Sequence, residues 1–409
     1  MSAVERLEKE FAQWLGAAGA VATGFGRGAL WLALEAASTR GADVLVPGFI
    51  CRQVVAAVER AGARPVFYRV KRELTITPED LAAAWTGNTR AAILPHYFGR
   101  PTPRIRELAS ACRARGAASI EDCALAMGAG LEGELCGRFG DFAVFSFTKS
   151  DWCFGGGLVT ASGAVHLAKL RGLQRERMKP APRLCFSYGL LKWADHAANR
   201  PRWCRAATRL GRLLQTLSRI REDNFYDAGR FDVAMPNWAA RRALRILGTL
   251  SSARARRQRA YTRILEVAGR KAPGAGPADS DDDLRLGSAE PKRRPLVRRH
   301  EMSQHLVPTG WNDARPVGRS EGSGASYAFM VLDAGSRAEQ AIARADEFHV
   351  TLRPSWPGSA QENAPHPGAA GGDFRADLLI LEISAELSEE ELVRMGTCLS
   401  KCLPPAASE

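Results

Sequence analysis

The chain has 409 residues, of which 45% are apolar and 25% are charged. This length and composition are typical of a globular protein with two or three domains, and they exclude a small disulfide-rich scaffold and a disordered chain. No apolar run reaches the roughly 18–20 residues that are needed to cross a membrane. The N-terminus lacks the pattern of a signal peptide, so we expect a cytoplasmic protein.

The positive charge of the chain is concentrated in one segment, residues 169–221. The formal net charge is +13, and this segment contains fourteen lysines and arginines but only two acidic residues, a net charge of +12. It also carries an apolar helical face at residues 203–220. The charge favours an anionic partner, such as a phosphate-bearing substrate or an anionic lipid or membrane surface. The alternative is a solvated helix pair whose arginines cover apolar surface. Nucleic acid is not expected, because no recognition motif is present.

Short apolar runs alternate with helix-like segments from about residue 42 to residue 160. The predicted strands include residues 44–47, 64–70, 91–96 and 118–122, and the predicted helices between them are 54–61, 78–85 and 105–115. Apolar strands that alternate with amphipathic helices are typical of a sheet covered by helices on both faces. The first part of the chain is therefore predicted to be a doubly wound α/β domain.

The rest of the chain suggests two further units. We predict a large domain at residues 1–168, a basic helical insertion at 169–235, and a helix followed by a small α+β domain at 236–409. Loop-like composition is found at residues 272–295 and 356–372. Cys398 and Cys402 are spaced as neighbours on one helix face, and with no further ligands nearby they indicate helix packing rather than a zinc site. No metal site is predicted.

Two groups of residues could bind a ligand at the start of a helix or the end of a strand. The glycine cluster of residues 24–34 opens a helix, where free backbone N–H groups favour a phosphate, although glycine turns before helices are common. Glu121 and Asp122 end a predicted strand, and ligands of open α/β sheets lie beyond such ends. A carboxylate there could bind a ring nitrogen or could simply cap the next turn.

Lys149 and His96 follow two other predicted strands. Lys149 lies in the sequence F-S-F-T-K, before a run of three glycines. A lysine amine in apolar surroundings can form a Schiff base with a carbonyl, whereas most lysines at strand ends are only surface residues. His96 lies in P-H-Y-F-G, and a packed core histidine is the more common outcome for such a residue.

Taken together, these motifs resemble those of pyridoxal 5′-phosphate (PLP)-dependent enzymes of fold type I, in which a phosphate turn, an aspartate and a lysine follow in this order. The segments 7–34, 42–101 and 119–160 are similar, almost element by element, to the DegT/DnrJ/StrS-type aminotransferase family. The motifs S-I-E-D-C-A and F-S-F-T-K with G-G-G-L-V-T resemble its aspartate and lysine signatures. The resemblance implies a large doubly wound mixed sheet domain and a small α+β C-terminal domain.

The resemblance also implies roles for individual residues. Lys149 would bind PLP covalently and move a proton between the substrate and the cofactor. Asp122 would pair with the protonated pyridine nitrogen and keep the ring electron-withdrawing. The phosphate would be bound at the start of the helix, together with the Ser146 hydroxyl, by the backbone of Gly26, Arg27 and Gly28.

Three positions and one spacing differ from the family pattern. Leu125 stands where a glutamine or histidine often contacts the ring, and Cys51 stands where an aromatic residue usually stacks on it. The spacing from Ser146 to Lys149 is two residues shorter than in the most common version. Asp232 lies near the position of an asparagine that reaches the phosphate from a neighbouring subunit. These differences concern the contacts to the ring and phosphate and leave the lysine in place.

We therefore predict a PLP-dependent aminotransferase. It would transfer an amino group from a donor such as glutamate to a keto-sugar nucleotide or another ketone in polysaccharide or specialised-metabolite biosynthesis, and it would act as a homodimer. One alternative is a PLP enzyme of the same fold that catalyses elimination, decarboxylation or oxidation. The other is a non-catalytic binding protein with this fold.

Overall fold

The computed structural model describes residues 1–198, 230–269, 323–324, 329–334, 338–348, 350, 352–354, 378–384 and 386–403. The apolar face predicted at 203–220 and the loops predicted at 272–295 and 356–372 lie outside the described residues. The helices are α1 (Ala3–Leu15), α2 (Gly26–Ala36), α3 (Arg52–Arg60), α4 (Pro78–Ala84), α5 (Ile105–Ala114), α6 (Phe147–Ser150), α7 (Ala164–Arg177), α8 (Pro182–Ala198), α9 (Asn237–Gly248), α10 (Leu250–Val267), α11 (Ala338–Ala345) and α12 (Glu389–Cys402).

The strands are mostly short, and six of the first nine follow a helix directly in the chain. They are β1 (Gly19–Thr23), β2 (Asp43–Pro47), β3 (Arg64–Tyr68), β4 (Thr89–Pro95), β5 (Ala118–Asp122), β6 (Gly130–Leu131), β7 (Glu134–Leu135), β8 (Phe142–Ser146), β9 (Gly157–Ala161), β10 (Lys179–Pro180), β11 (Val233–Ala234), β12 (Ser323–Gly324), β13 (Phe329–Asp333), β14 (Arg353–Pro354) and β15 (Leu378–Glu382).

A seven-stranded sheet forms the centre of the fold, with the strand order β1-β9-β8-β5-β4-β2-β3. Strand β9 pairs antiparallel with both β1 and β8. The remaining neighbours in the sheet pair in parallel. The sheet is therefore mixed, with β9 running against the other six strands, and the predicted fold class is confirmed.

Alternate residues of the strands pack on opposite faces of this sheet, as the period of a strand requires. Val44 and Val46 face a core formed with α2, α3 and α7. Leu45 and Leu94 face the opposite core, formed with α4 and α5. Phe145 of β8 packs on α1 and α9. Because helices cover both faces, the ligand-accessible part of the sheet is its edge at the strand ends.

The described C-terminal elements form a smaller unit. Strand β15 lies between β13 and β14 and pairs antiparallel with both. Helices α10, α11 and α12 pack with these strands in a separate apolar core, which confirms the predicted α+β unit. The single helix predicted at the start of residues 236–409 is two helices, since α9 ends at Gly248 and α10 begins at Leu250.

The predicted domain boundaries remain predictions, although the structure shows which elements they cut. The boundary after residue 168 lies inside α7, and the predicted insertion includes α8. Strand β10 pairs in parallel with β11. The segments on either side of residues 182–232 therefore lie side by side at these two strands.

Two smaller sequence expectations concern membranes and cysteines. Among the helices that the structure describes, none is long and apolar enough to cross a membrane. The sulfur atoms of Cys398 and Cys402 lie 3.6 Å apart within the C-terminal core. Their place on one face of α12 agrees with the predicted packing role.

Glu8 of α1 offers a test of the contact between α1 and the edge strand β1. Its Oε1 accepts hydrogen bonds of 2.8 Å from the backbone N–H of Ala22 and from Nε2 of Gln174. Burial nevertheless raises the pKa of the Glu8 carboxyl above its ordinary value, against the opposing effect of these bonds. The fold thus disfavours the ionised form, and the contribution of Glu8 to stability is lost as the pH rises through its pKa in the folded protein.

We expect Glu8→Gln to gain stability relative to wild type as the pH rises from about 4 to about 7. Urea unfolding at both pH values measures this, with the exposed Glu59→Gln variant as a control that should show no such trend. An equal stability difference at both pH values would contradict the assignment.

Candidate active site

Five segments at one edge of the central sheet surround a pocket of about 150 Å³. They are the residues that follow β1, β2, β4, β5 and β8, all of which end at this edge. Gly156, directly before the antiparallel strand β9, completes the same rim. The pocket therefore lies where open α/β sheets bind their ligands.

The N-terminus of α2 forms one end of the pocket. Phe25 holds the N-cap position and provides no side-chain acceptor for the first backbone N–H groups of the helix. Gly26 and Arg27 line the pocket at this point, and the guanidinium of Arg27 lies 4.8 Å from the centre of the Phe25 ring. A helix start without a capping side chain and with a cation beside it favours an anionic ligand.

Two hydroxyl groups face the same end of the pocket. Ser146, the last residue of β8, and Thr148 of α6 both line it, and their side-chain oxygens lie 3.1 Å apart. Hydroxyl groups can donate to the oxygens of an anion. The pocket thus combines backbone, hydroxyl and guanidinium donors at one end.

Asp122 lies at the floor of the pocket, at the end of β5. Its Oδ1 accepts a 3.0 Å hydrogen bond from the backbone N–H of Ala124. Burial raises the pKa of the Asp122 carboxyl, against the opposing influence of the Ala124 bond and of the charge on Lys149. A cationic N–H group placed against this carboxyl would favour its ionised form.

Glu121, the neighbouring acid, points to the other face of the sheet and is fully buried. Its two oxygens accept hydrogen bonds from three backbone N–H groups and from Nε2 of His96. The backbone donors belong to Gly137, Phe139 and Gly140. Glu121 therefore holds the loop before β8 in place, and of the two acids only Asp122 lines the pocket.

His96 is the buried partner of Glu121. Its Nδ1 accepts a 3.0 Å hydrogen bond from the backbone N–H of Thr102, so this nitrogen carries no proton. The ring is then neutral, with its proton on Nε2 facing Glu121, 2.9 Å away. Glu121, His96 and Cys123 also place potential metal ligands close together. The four bonds to Glu121 use the lone pairs that a metal would need.

Lys149 lies in the one-turn helix α6 and lines the pocket. Burial raises the pKa of the Cys51 thiol, and the charge of Lys149 opposes that shift, as it does at Asp122. The lysine amine, the Asp122 carboxyl and the Cys51 thiol therefore lie within electrostatic reach of one another. Leu125 also lines the pocket. Cys51 and Leu125, the two residues that differ from the family pattern at the ring contacts, therefore face the same space.

Like Glu121, Gly28 and Asp232 do not line the pocket. A Cβ atom on Gly28 would lie 2.5 Å from the carbonyl oxygen of Phe231, so this glycine permits close packing of the segment before β11. Asp232 forms a bidentate ion pair with Arg230, with both distances 3.0 Å. Seven of the eight predicted cofactor-binding residues do line it: Gly26, Arg27, Cys51, Asp122, Leu125, Ser146 and Lys149.

Thr148, Gln53 and Tyr188 are among the pocket residues that the sequence analysis missed. Thr148 stands beside Lys149 and was detectable from its position between the two predicted residues Ser146 and Lys149. Gln53 follows Cys51 at the start of α3, and Tyr188 comes from α8, about forty residues after the lysine. No local pattern links Tyr188 to this pocket, because only the fold brings α8 against Phe25.

The glycine run before β9 permits the close approach of two backbones. The N–H of Gly156 donates to the Gly24 carbonyl at 2.6 Å, and Gly155 and Gly156 have φ values of +97° and +109°. A Cβ atom on Gly157 would lie 2.3 Å from the Phe25 carbonyl oxygen and 2.6 Å from the Gly26 nitrogen. Any side chain at Gly157 would therefore push the start of α2 away from β9.

We expect Gly157→Ala to lower the free energy of unfolding by about 1–3 kcal/mol and to weaken the binding of an anionic ligand at α2. Gly172→Ala is the matched control, because Gly172 lies inside α7 with open space around it, and we expect a gain of about 0.5–1 kcal/mol. Urea unfolding and inorganic phosphate titration measure both effects. Equal behaviour of the two variants would contradict the close-approach argument.

The residues of the pocket fit PLP. An amine that could bind its carbonyl, a buried carboxyl that could face its ring nitrogen, and phosphate donors at the start of α2 lie in one cavity. Apolar side chains of Ile50, Leu125 and Val144 form walls that suit an aromatic ring. Asp122 is the only acidic residue among the described residues that line the pocket, so no other carboxylate would repel the phosphate.

The fold is shared with solved structures. The chain shares its fold with a Streptococcus pneumoniae protein classed as a sugar aminotransferase and solved in its PLP form, with a TM-score of 0.67, 15% identity, and coverage of 98% of this chain and 92% of that one. The described architecture is therefore fold type I, as the sequence predicted.

Residues 2–183 match the DegT/DnrJ/EryC1/StrS aminotransferase family. This confirms the predicted family for the part of the chain that contains all the predicted site residues. The chain is 33% identical over 177 residues to GDP-perosamine synthase of Vibrio cholerae. This match covers 42% of this chain and 48% of that protein. It is 40% identical over 175 residues to a UDP-N-acetyl-3-dehydro-α-D-glucosamine 3-aminotransferase of Acidithiobacillus ferrooxidans, covering 41% and 47%. The chain thus matches about half the length of these curated relatives.

Proposed function

We propose that the protein is a PLP-dependent aminotransferase that transfers an amino group from a donor such as glutamate to a keto-sugar nucleotide or a related ketone in biosynthesis. The observation that carries the proposal is the shared pocket of Lys149 and Asp122 at the start of α2. When bound, PLP supplies a carbonyl that accepts an amine and a ring that withdraws electrons.

The residues of the pocket would then have separate roles in cofactor binding and proton transfer. The amine of Lys149 would bind the cofactor and, once a donor amine has displaced it, would take the proton from the donor α-carbon. Asp122 would accept a hydrogen bond from the ring N–H. The phosphate would be bound by the N-terminus of α2 with the hydroxyls of Ser146 and Thr148.

The acceptor class is supported by the relatives of residues 2–183. The proteins from Vibrio cholerae and Acidithiobacillus ferrooxidans are named for amino-sugar synthesis on GDP- and UDP-linked sugars. The cationic Arg27 at the pocket also suits an anionic substrate. A lipid contact of the basic segment 169–221 receives no support from these relatives.

Glutamate added to the purified protein loaded with PLP tests the proposal. We expect the absorbance of bound PLP to change to that of pyridoxamine phosphate, with release of one equivalent of 2-oxoglutarate, and a keto-sugar nucleotide to reverse the change. Bound PLP that no amino donor converts would favour the alternative of another PLP reaction. Absence of PLP binding would favour a non-catalytic protein with this fold.

We further propose that the protein is a homodimer, as the family resemblance implies, and that it acts in the cytoplasm. Light scattering coupled to size exclusion measures the first property. A monomer with full activity would contradict it.

A further inference from the structure

The helix that carries Lys149 is too short to be stable on its own. Helix α6 consists of the four residues Phe147–Ser150. Its turn is closed by a 3.1 Å bond from the Asp151 N–H to the Phe147 carbonyl. A single helical turn fixes several backbone angles for very few hydrogen bonds. The position of Lys149 must therefore depend on contacts from other elements.

Two arginine side chains bind the backbone directly after Lys149. Arg257 of α10 donates from Nη2 to the carbonyl of Ser150. Arg242 of α9 donates from Nε to the carbonyl of Trp152 at 3.0 Å and from Nη2 to Oδ2 of Asp151 at 3.2 Å. Three consecutive residues after the lysine are thus bound by guanidinium groups, and the Arg242 guanidinium also lies 5.3 Å from the Trp152 ring centre.

Burying the guanidinium of Arg257 is expected to lower the stability of the fold. Its side chain is only 6% exposed, and among the residues that the structure describes its Nε has no hydrogen-bond partner. Burial lowers the pKa of its guanidinium. A buried cation usually contributes less to stability than an aliphatic side chain of similar size. Stability alone therefore does not explain an arginine at this position. The hydrogen bond to the Ser150 carbonyl does explain it.

Helix α10 also belongs to the C-terminal unit. Tyr261, Ile264 and Leu265, within two turns of Arg257, pack in the core that contains β13 and β15. Arg257 thereby links this unit to the turn of Lys149. A shift of α10 would be transmitted to the Ser150 carbonyl, one residue from the lysine.

We propose that Arg257 and Arg242 are positioning residues that fix Lys149 in the pocket, and that the C-terminal unit sets the position of the lysine through Arg257. The proposal rests on the proposed function, since it assigns the lysine to the binding of PLP. Neither arginine lines the pocket, so both act on the lysine through the backbone of residues 150–152.

Amide hydrogen exchange and PLP retention test the proposal on the full chain. The variants are Arg257→Met and Arg242→Met, with Arg257→Lys as the conservative change that keeps one donor for Ser150. Arg259→Met and Arg241→Met are the matched controls, because these exposed arginines lie on the same two helices. Exchange of residues 147–154 is measured without PLP by mass spectrometry, and PLP dissociation is measured after loading.

We expect exchange over residues 147–154 to become about 10- to 100-fold faster in Arg257→Met and Arg242→Met, as the loss of a charged hydrogen bond predicts. PLP should dissociate faster in both, and the pH midpoint of the absorbance change of bound PLP should shift. Arg257→Lys should recover part of each effect, and the controls should match wild type.

Exchange and PLP retention equal to the controls in Arg242→Met and Arg257→Met would overturn the proposal. Arg242→Met decides the question if Arg257→Met does not fold. A wild-type protein that binds no PLP would refute the proposed function instead, while the exchange measurement would still show whether the arginines hold the turn.

Discussion

Replacing Lys149 with alanine is expected to abolish turnover and the characteristic absorbance of covalently bound PLP. Loss of a residue that acts both as covalent anchor and as proton carrier should lower the rate by at least about 1,000-fold. The lysine side chain is exposed to the pocket, and the turn around it is held by backbone bonds and by Arg242 and Arg257, so the fold should remain intact. Absorbance spectra and the glutamate reaction measure the effect.

Lys169→Ala is the matched control for this experiment. Lys169 is exposed on α7 and does not line the pocket, so its variant should retain both the absorbance and the activity. Measurable transfer of the glutamate amine by Lys149→Ala would show that another residue does the work assigned here to Lys149.

The second large effect is expected from Asp122→Asn. An asparagine can still accept the hydrogen bond from the Ala124 N–H, so the local structure should persist. It cannot supply the negative charge that would stabilise a protonated ring nitrogen. We expect the single-turnover rate with glutamate to fall by about 10- to 100-fold or more, with a smaller loss of PLP affinity.

Rapid-mixing absorbance with excess glutamate separates these two quantities, because it records the first amine transfer after PLP is bound. A direct titration with PLP gives the affinity. Near-normal single-turnover rates in Asp122→Asn, with PLP fully bound, would exclude a role of this carboxyl at the ring.

Much of the large domain could be predicted from the sequence because buried strands appear as apolar runs. The strands at 44–47 and 118–122 lie almost where the apolar residues indicated. Helix α4 begins at Pro78, as the sequence T-P-E-D predicted. The direction of β9 was not predictable, because it depends on how the chain turns between Ser146 and Gly157.

The break between α9 and α10 also escaped the sequence analysis. Helical periodicity continues through residues 239–267, and no proline interrupts it. The break at Thr249 places α9 on the core beneath β8 and α10 on the C-terminal core. The division follows from tertiary packing, which local propensity does not contain.

The site was predictable to the extent that it depends on the order of motifs along the chain. Lys149 and Asp122 were found in this way, and the pocket contains both. The choice between Glu121 and Asp122 needed the structure, since neighbouring strand residues point to opposite faces. Arg242 and Arg257 were missed because arginine-rich helices look like solvated surface until their contacts are known.

The central claim is that the pocket at the ends of the parallel strands binds PLP through Lys149. Borohydride reduction of the PLP-loaded wild-type protein, followed by proteolysis and mass spectrometry of the peptides, tests it most directly. We predict one modified peptide, with the reduced PLP group on Lys149. A stable PLP adduct on another lysine, or loaded protein with no reducible adduct, would contradict the account.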